Sequence, residues 1–179
     1  MADTKKYLSI TAMGPARETL LTELLAAIGQ RGCAIDDFRI MPVGDQTVVT
    51  ILAVGNWNEI AKMESALPAL GESLGLSMHA SAAARRPNGG DYRPYAADIV
   101  APDQDNLLVS LSRFFDDYGV RTTELTAQTY RSSITEAAMC SLHFTLEVPT
   151  IQHPQTLRDA FMDLCDELFA DGVLDPIKH

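Results

Sequence analysis

A run of apolar residues in the first half of this chain recurs in the second half in one register, together with the glycine that follows it. Leu20, Leu21, Leu24, Ile28 and Gly32 are matched 87 positions later by Leu107, Leu108, Leu111, Phe115 and Gly119. Helical periodicity alone repeats an apolar stripe. It has no reason to place the glycine at the same offset as well. The chain therefore reads as two copies of one unit. Its 179 residues hold two modules, each of about 80 residues with a thin core.

Within the first copy, Tyr7 to Met13 has strand character and runs into Gly14-Pro15. Leu20, Leu21, Leu24, Leu25 and Ile28 predict one helix face, and Gly32 a left-handed stop. Ile35 to Met41 and the strongly apolar Thr47 to Val54 are strands joined by a turn at Val43-Gly44-Asp45, the second of them central. Asn56 is a good N-cap for a second helix carrying Ile60, Met63, Leu67, Leu70 and Leu74. Pro68 is expected to kink that helix or end it early. Ser77 to Ala83 closes the unit as a strand.

The second copy follows the same order. Tyr95 to Ala101 is a strand, Asp103 to Asn106 the loop and cap, and Leu107, Leu108, Leu111, Phe115 and Tyr118 the helix face ending at Gly119. Asp37-Phe38 falls on Glu124-Leu125. The register then drifts through a longer hairpin, as a repeat tolerates in its loops. Leu157, Phe161, Leu164 and Leu168 form the last helix stripe, Asp171-Gly172 ends it, and Val173 to Ile177 is the final strand. The stretch Ala84 to Pro94 holds two prolines and two glycines without apolar periodicity. The expected organisation is a first module over 5–84, a linker over 85–94 and a second module over 95–178.

Strand-helix-strand-strand-helix-strand gives an α+β fold, a ferredoxin-like βαββαβ sandwich in each module. Four antiparallel strands lie on one face and two helices on the other. Small modules of this kind gain from burying surface against each other or against a second chain, so a homo-oligomer is expected.

Charge and motifs exclude several functions. With 14 basic and 24 acidic residues the net charge is −10, poorly suited to neutralising phosphates, so no direct nucleic-acid contact is expected. Lys5-Lys6 and Arg85-Arg86 are the short basic pairs, read as a solvated tail and a linker. Three cysteines without a CxxC spacing, and histidines at 79, 143, 153 and 179 without ligand spacing, offer no metal site. Cys33, Cys140 and Cys165 fit core positions, and His143 the polar side of its strand. Asp36 and Asp37, as strand neighbours, point to opposite faces and form no acid–base pair. No phosphate-binding, dinucleotide, nucleophile-elbow or zinc-protease motif occurs. No catalytic residue and no cofactor is predicted. The polar N-terminus and the lack of a long apolar run predict a cytoplasmic chain without a membrane span.

The two loops after the first strands, and the segments around the glycine stops, resemble the ACT domain. Its frame is roughly D-R-P-G-[LI]-[LI], then a helix closing in G-x-N-[IV]. Asp103-Gln104-Asp105-Asn106-Leu107-Leu108 fits the first part, as does Ala16-Arg17-Glu18-Thr19-Leu20-Leu21. The stops are Gly32-Cys33-Ala34-Ile35 and Gly119-Val120-Arg121-Thr122. Over nearly its whole length the chain is similar to the glycine cleavage system transcriptional repressor family. Tyr7 to Gly14, Gly32 to Arg39, Gly55 to Asn58 and Met63 to Pro68 carry the likeness.

The resemblance implies a regulator without its own DNA-binding domain. It would oppose an activator, a LysR-type protein in the family, by protein contact and with glycine as signal. It also implies where an amino acid would sit: between modules, near the first loop of one and the start of the second strand. Mapped here, that is Gly14, Arg17, Thr19, Cys33, Ala34, Asp103, Asn106 and Arg121. The loop glycine of the family is Thr19 in one module and Asn106 in the other, and the asparagine after the stop is Ala34 or Arg121. Neither loop is complete. Arg17 and Arg121 suit a ligand carboxylate or plain surface charge. A ligand-free interaction module, or an allosteric partner of a metabolic enzyme, is the alternative.

Overall fold

The computed structural model describes residues 5–86 and 90–177. Of the expected linker, residues 87–89 lie outside that set, as does residue 178 at the end of the expected second module. The chain divides into two compact units, Met1–Pro87 and Asn88–His179.

The first unit runs β1 (Lys6–Pro15), α1 (Leu20–Gly29), β2 (Ala34–Val43), β3 (Gln46–Gly55), α2 (Trp57–Leu74) and β4 (Ser77–Ala83). The second runs β5 (Tyr92–Pro102), α3 (Leu107–Asp117), β6 (Arg121–Arg131), β7 (Ala138–Pro149), α4 (Pro154–Glu167) and β8 (Asp171–Pro176). The sheets are ordered β2-β3-β1-β4 and β6-β7-β5-β8, antiparallel throughout. These are two ferredoxin-like modules in tandem, with Thr47–Val54 inside a central strand as expected.

One face of each sheet is buried under its helices. In the first unit Leu8, Ile10 and Ala12 of β1 and Val49, Ile51 and Ala53 of β3 meet Leu20, Leu24 and Ile28 of α1 and Met63 and Leu67 of α2. Alternation along the strands and a 3.6-residue stripe on the helices produce this division. The second core is more aromatic. Phe115 of α3 lies 5.2 Å from Phe144 of β7 and 6.1 Å from Phe161 of α4 between ring centroids.

The repeat extends to an irregularity. In β2, Ile35 pairs with Ala53 and Asp37 with Leu52, leaving Asp36 as a bulge. In β6, Thr122 pairs with Leu146 and Glu124 with Thr145, leaving Thr123 unpaired in the register. The bulges fall 87 positions apart, in the register of the helices. Simple alternation at Asp36-Asp37 is therefore interrupted. Asp36 holds Arg85 (Nε–Oδ2 3.4 Å), and Thr123 Oγ1 donates to the Thr145 carbonyl (3.0 Å).

Several local expectations are corrected. Leu21 and Leu108 are exposed, since one residue of helix turns each about 100° from its buried neighbour. Gly32 is left-handed (φ +82°), but α1 ends at Gly29 with a right-handed cap at Gln30, so Gly32 belongs to the turn beyond. Helix α2 continues past Pro68 to Leu74. The proline removes one backbone donor there, while an Asn56–Glu59 capping box and left-handed Gly75 hold both ends. β5 begins at Tyr92, inside the expected linker. Pro94 is tolerated in it because its carbonyl side faces Ile177 beyond the last β8 ladder pair, so no bond to β7 is lost. Asp171-Gly172 opens β8 and does not end α4; the turn is made by Phe169 at φ +53°.

Candidate functional site

The loop between β5 and α3 is held at both sides by hydrogen bonds. The Asp103 N–H donates to the Ala138 carbonyl at the start of β7 (3.0 Å). Gln104 Nε2 donates to the Leu168 carbonyl after α4 (2.8 Å). Between these anchors the chain turns into α3 through Asn106, which is left-handed (φ 65°) and gives no side-chain cap bond to the helix. The Asn106 carbonyl accepts from Ser110 N–H (2.8 Å), so the helix starts there all the same.

This geometry opens a cavity of about 380 Å³ between the first turn of α3 and the inner side of β6 and β7. Asp103, Gln104 and Asn106 line one wall, Leu107 to Val109 the helix side, and Ala127, Thr129 and Cys140 the sheet side. Burial, and then the charge of Asp103, push the Cys140 thiol up. It stays a neutral wall of the cavity.

The corresponding loop of the first unit is closed on itself. Arg17 Nη2 lies 2.5 Å from Glu23 Oε2. The Glu23 carboxyl is held below its ordinary value, first by a hydrogen bond from Thr19 and then by the charge of Arg17. Gly14 serves packing. A Cβ there would lie 2.6 Å from the Gly75 carbonyl oxygen and 2.7 Å from Leu76 Cδ2.

The other expected residues sit at the far end of each sheet. Ala34 pairs with Val54, which pairs with Tyr7, while Gly14 pairs with Thr47. Seven residues of strand separate the two sets, roughly 23 Å. Cys33 is buried beside Ala34. Arg121 begins β6 opposite Glu147 (4.0 Å) and stacks 4.1 Å over the Tyr92 ring. Each unit thus splits the expected residues: Gly14, Arg17 and Thr19 away from Cys33 and Ala34, and Asp103 and Asn106 away from Arg121.

Gln104, Ala127 and Thr129 were not among the expected residues. A signal existed for the last two. The register of the repeat sets Ile40 and Pro42 against Ala127 and Thr129, so β6 is smaller where the cavity opens. His143 is exposed and 2.6 Å from Asp98 on the outer face of its sheet. Among the described residues, no group of three or more His, Cys, Asp or Glu side chains is arranged to hold a metal ion. Nor is any helix among them long and apolar enough to cross a membrane.

Comparison with known proteins gives a consistent picture. Residues 6–81 match the ACT domain family. The glycine cleavage system transcriptional repressors of Escherichia coli (strain K12) and Shigella flexneri are each 26% identical over 176 residues, covering 98% of this chain and 93% of theirs. The crystal structure of a candidate glycine cleavage system transcriptional repressor superposes with a TM-score of 0.73 at 24% identity, over 98% of this chain and 99% of that one. An unknown protein from Galdieria sulphuraria superposes with a TM-score of 0.76 at 16% identity, over 98% and 100%. The two superpositions establish the tandem fold.

Proposed function

We propose that this chain, a tandem ACT-domain protein resembling the glycine cleavage system transcriptional repressors, is a non-enzymatic regulator that senses a small amino acid and acts by contact with another protein. The observation that carries the reading is the open β5–α3 loop, whose Asp103 and Asn106 line a cavity. The Asp103 carboxylate suits an ammonium group. The N-terminus of α3, without a side-chain cap, suits a carboxylate. Together they fit a zwitterion such as glycine. The first loop, with Arg17, Thr19 and Glu23 satisfied internally, acts as scaffold.

The net charge of −10 favours action through a protein partner over direct contact with DNA. The resemblance to the glycine cleavage system transcriptional repressors supports a protein partner; we take a LysR-type activator as the one to test, in the cytoplasm and with a homo-oligomer of this chain as the acting species. A ligand-free interaction module, or an allosteric partner of a metabolic enzyme, is the second reading. It is favoured by the replacement of the loop glycine by Thr19 and Asn106.

Calorimetry with glycine and other small amino acids tests the sensing role. Saturable heat in the millimolar range or below, weakened at least tenfold by Asp103→Ala, supports it. No heat from any of them leaves the ligand-free module. Affinity purification from the native cell tests the partner: an activator supports the repressor reading, a metabolic enzyme the allosteric one.

A further inference from the structure

Helix α2 leaves one stripe uncovered. Met63, Leu67 and Leu74 face the core. Trp57, Ile60, Ala61 and Glu64 line a cavity of about 460 Å³ beside β1 and β4, and Ile60 also packs against the edge of the core. Their spacing of i, i+3, i+4 and i+7 puts them on one helix face. The facing wall is Tyr7 and Leu8 of β1 and Ala82 of β4. The cause of the gap is legible in the strand register. Ala82 pairs with Leu8, and Ala80 with Ile10, on the covered side of the sheet. The edge strand thus offers methyl groups where larger side chains would reach the helix.

Two features point to an occupant. Trp57, the one tryptophan of the chain, leaves 74% of its surface exposed at the rim. Lys5 and Lys6 line the same cavity against the single acid Glu64, a local positive excess in a chain of net charge −10. Apolar walls with a few charged groups, at this volume, match small-molecule pockets better than a chance surface dent.

We propose that this groove binds a small apolar carboxylate, its hydrocarbon body between Trp57 and Ala82 and its carboxylate at Lys5 and Lys6. Most of the affinity comes from the apolar body, because exposed ion pairs contribute little. Glu64 separates two sources of that chemistry: an α-amino acid brings an ammonium group to it, and a simple or 2-oxo acid brings none. The groove shares no residue with the cavity of the second unit, so its occupancy is independent of the sensing role proposed above.

The test titrates the full chain with phenylacetate, phenylalanine, phenethylamine and acetate, by Trp57 emission and by calorimetry. Phenylacetate is expected to saturate both signals, and phenethylamine and acetate to bind at least tenfold more weakly. Phenylalanine tighter than phenylacetate identifies the amino-acid arm, and weaker identifies the simple acid. Lys5→Gln with Lys6→Gln weakens phenylacetate at least tenfold. Ala82→Phe, which fills the groove, removes the response, and Asp103→Ala leaves it unchanged. The proposal is overturned by no saturable heat with phenylacetate, by phenethylamine binding as well as phenylacetate, or by phenylacetate heat that survives Ala82→Phe. Should Ala82→Phe not fold, the lysine pair decides alone.

Discussion

Arg17 and Glu23 close the first loop on itself, with 2.5 Å between Nη2 and Oε2, whereas Asp103 of the second loop lines a cavity. The two copies keep one scaffold and spend their loop polar groups differently. Glu23 is exposed, so the closure is a matter of local geometry and adds little stability. Its sign can still be tested. A carboxyl held below its ordinary value of 4.5 contributes fully above that value and loses the contribution as pH falls through its folded value. Urea midpoints of the native chain should fall more than those of Glu23→Gln as pH drops below about 4.5. Equal falls would show that the pair holds nothing.

Asn106 combines a left-handed backbone with a side chain on the cavity wall. Asn106→Gly keeps the backbone and removes the side chain; Asn106→Ala removes the side chain and strains the backbone by about 1 kcal/mol. Thermal melts should rank the alanine variant about 1 kcal/mol below the glycine variant. Calorimetry with glycine should show equal weakening in both if the side chain touches ligand.

Gly172 is required by packing. A Cβ there would lie 2.5 Å from Cys165 Sγ and 3.0 Å from the Phe161 ring, and both side chains are fully buried. Gly172→Ala should cost about 1–3 kcal/mol in urea unfolding, as overpacking does. Adding Cys165→Ala should recover part of that loss, a non-additivity that a double-mutant cycle reads directly.

Phe169 is left-handed (φ +53°) and 84% exposed. The matching turn after α2 uses Gly75 (φ +66°). Phe169→Gly should raise the melting temperature through a gain of about 1 kcal/mol, and Phe169→Ala should give none. A loss with glycine would mean that the ring packs usefully after all.

Much of the fold was legible in the sequence because its signals are local. Apolar alternation, helical stripes and the glycine offset carry the order of elements in each copy, and Asn56 is visible as a cap. For two of the corrected expectations a contact distant in sequence decides. Pro94 entered a strand because β8 ends beside it, and Gly172 marked the approach of Cys165 and Phe161. The candidate site was less legible. The β5–α3 loop could be found, but which of its groups face a cavity depends on Ala127 and Thr129, more than twenty residues away across the sheet.

From the sequence alone followed two copies of one module, their order of elements, their buried faces and the low suitability for phosphate binding. These depend on periodicity and net charge, which need no coordinates. The tertiary structure alone decided that Arg17 is consumed by Glu23, that Arg121 stacks on Tyr92, and that Asp103 and Asn106 line open space. It also brought Lys5 and Lys6 beside Trp57 and the alanines of β4. Strand register and helix packing bring residues distant in the chain together, and periodicity carries no record of which partners they meet.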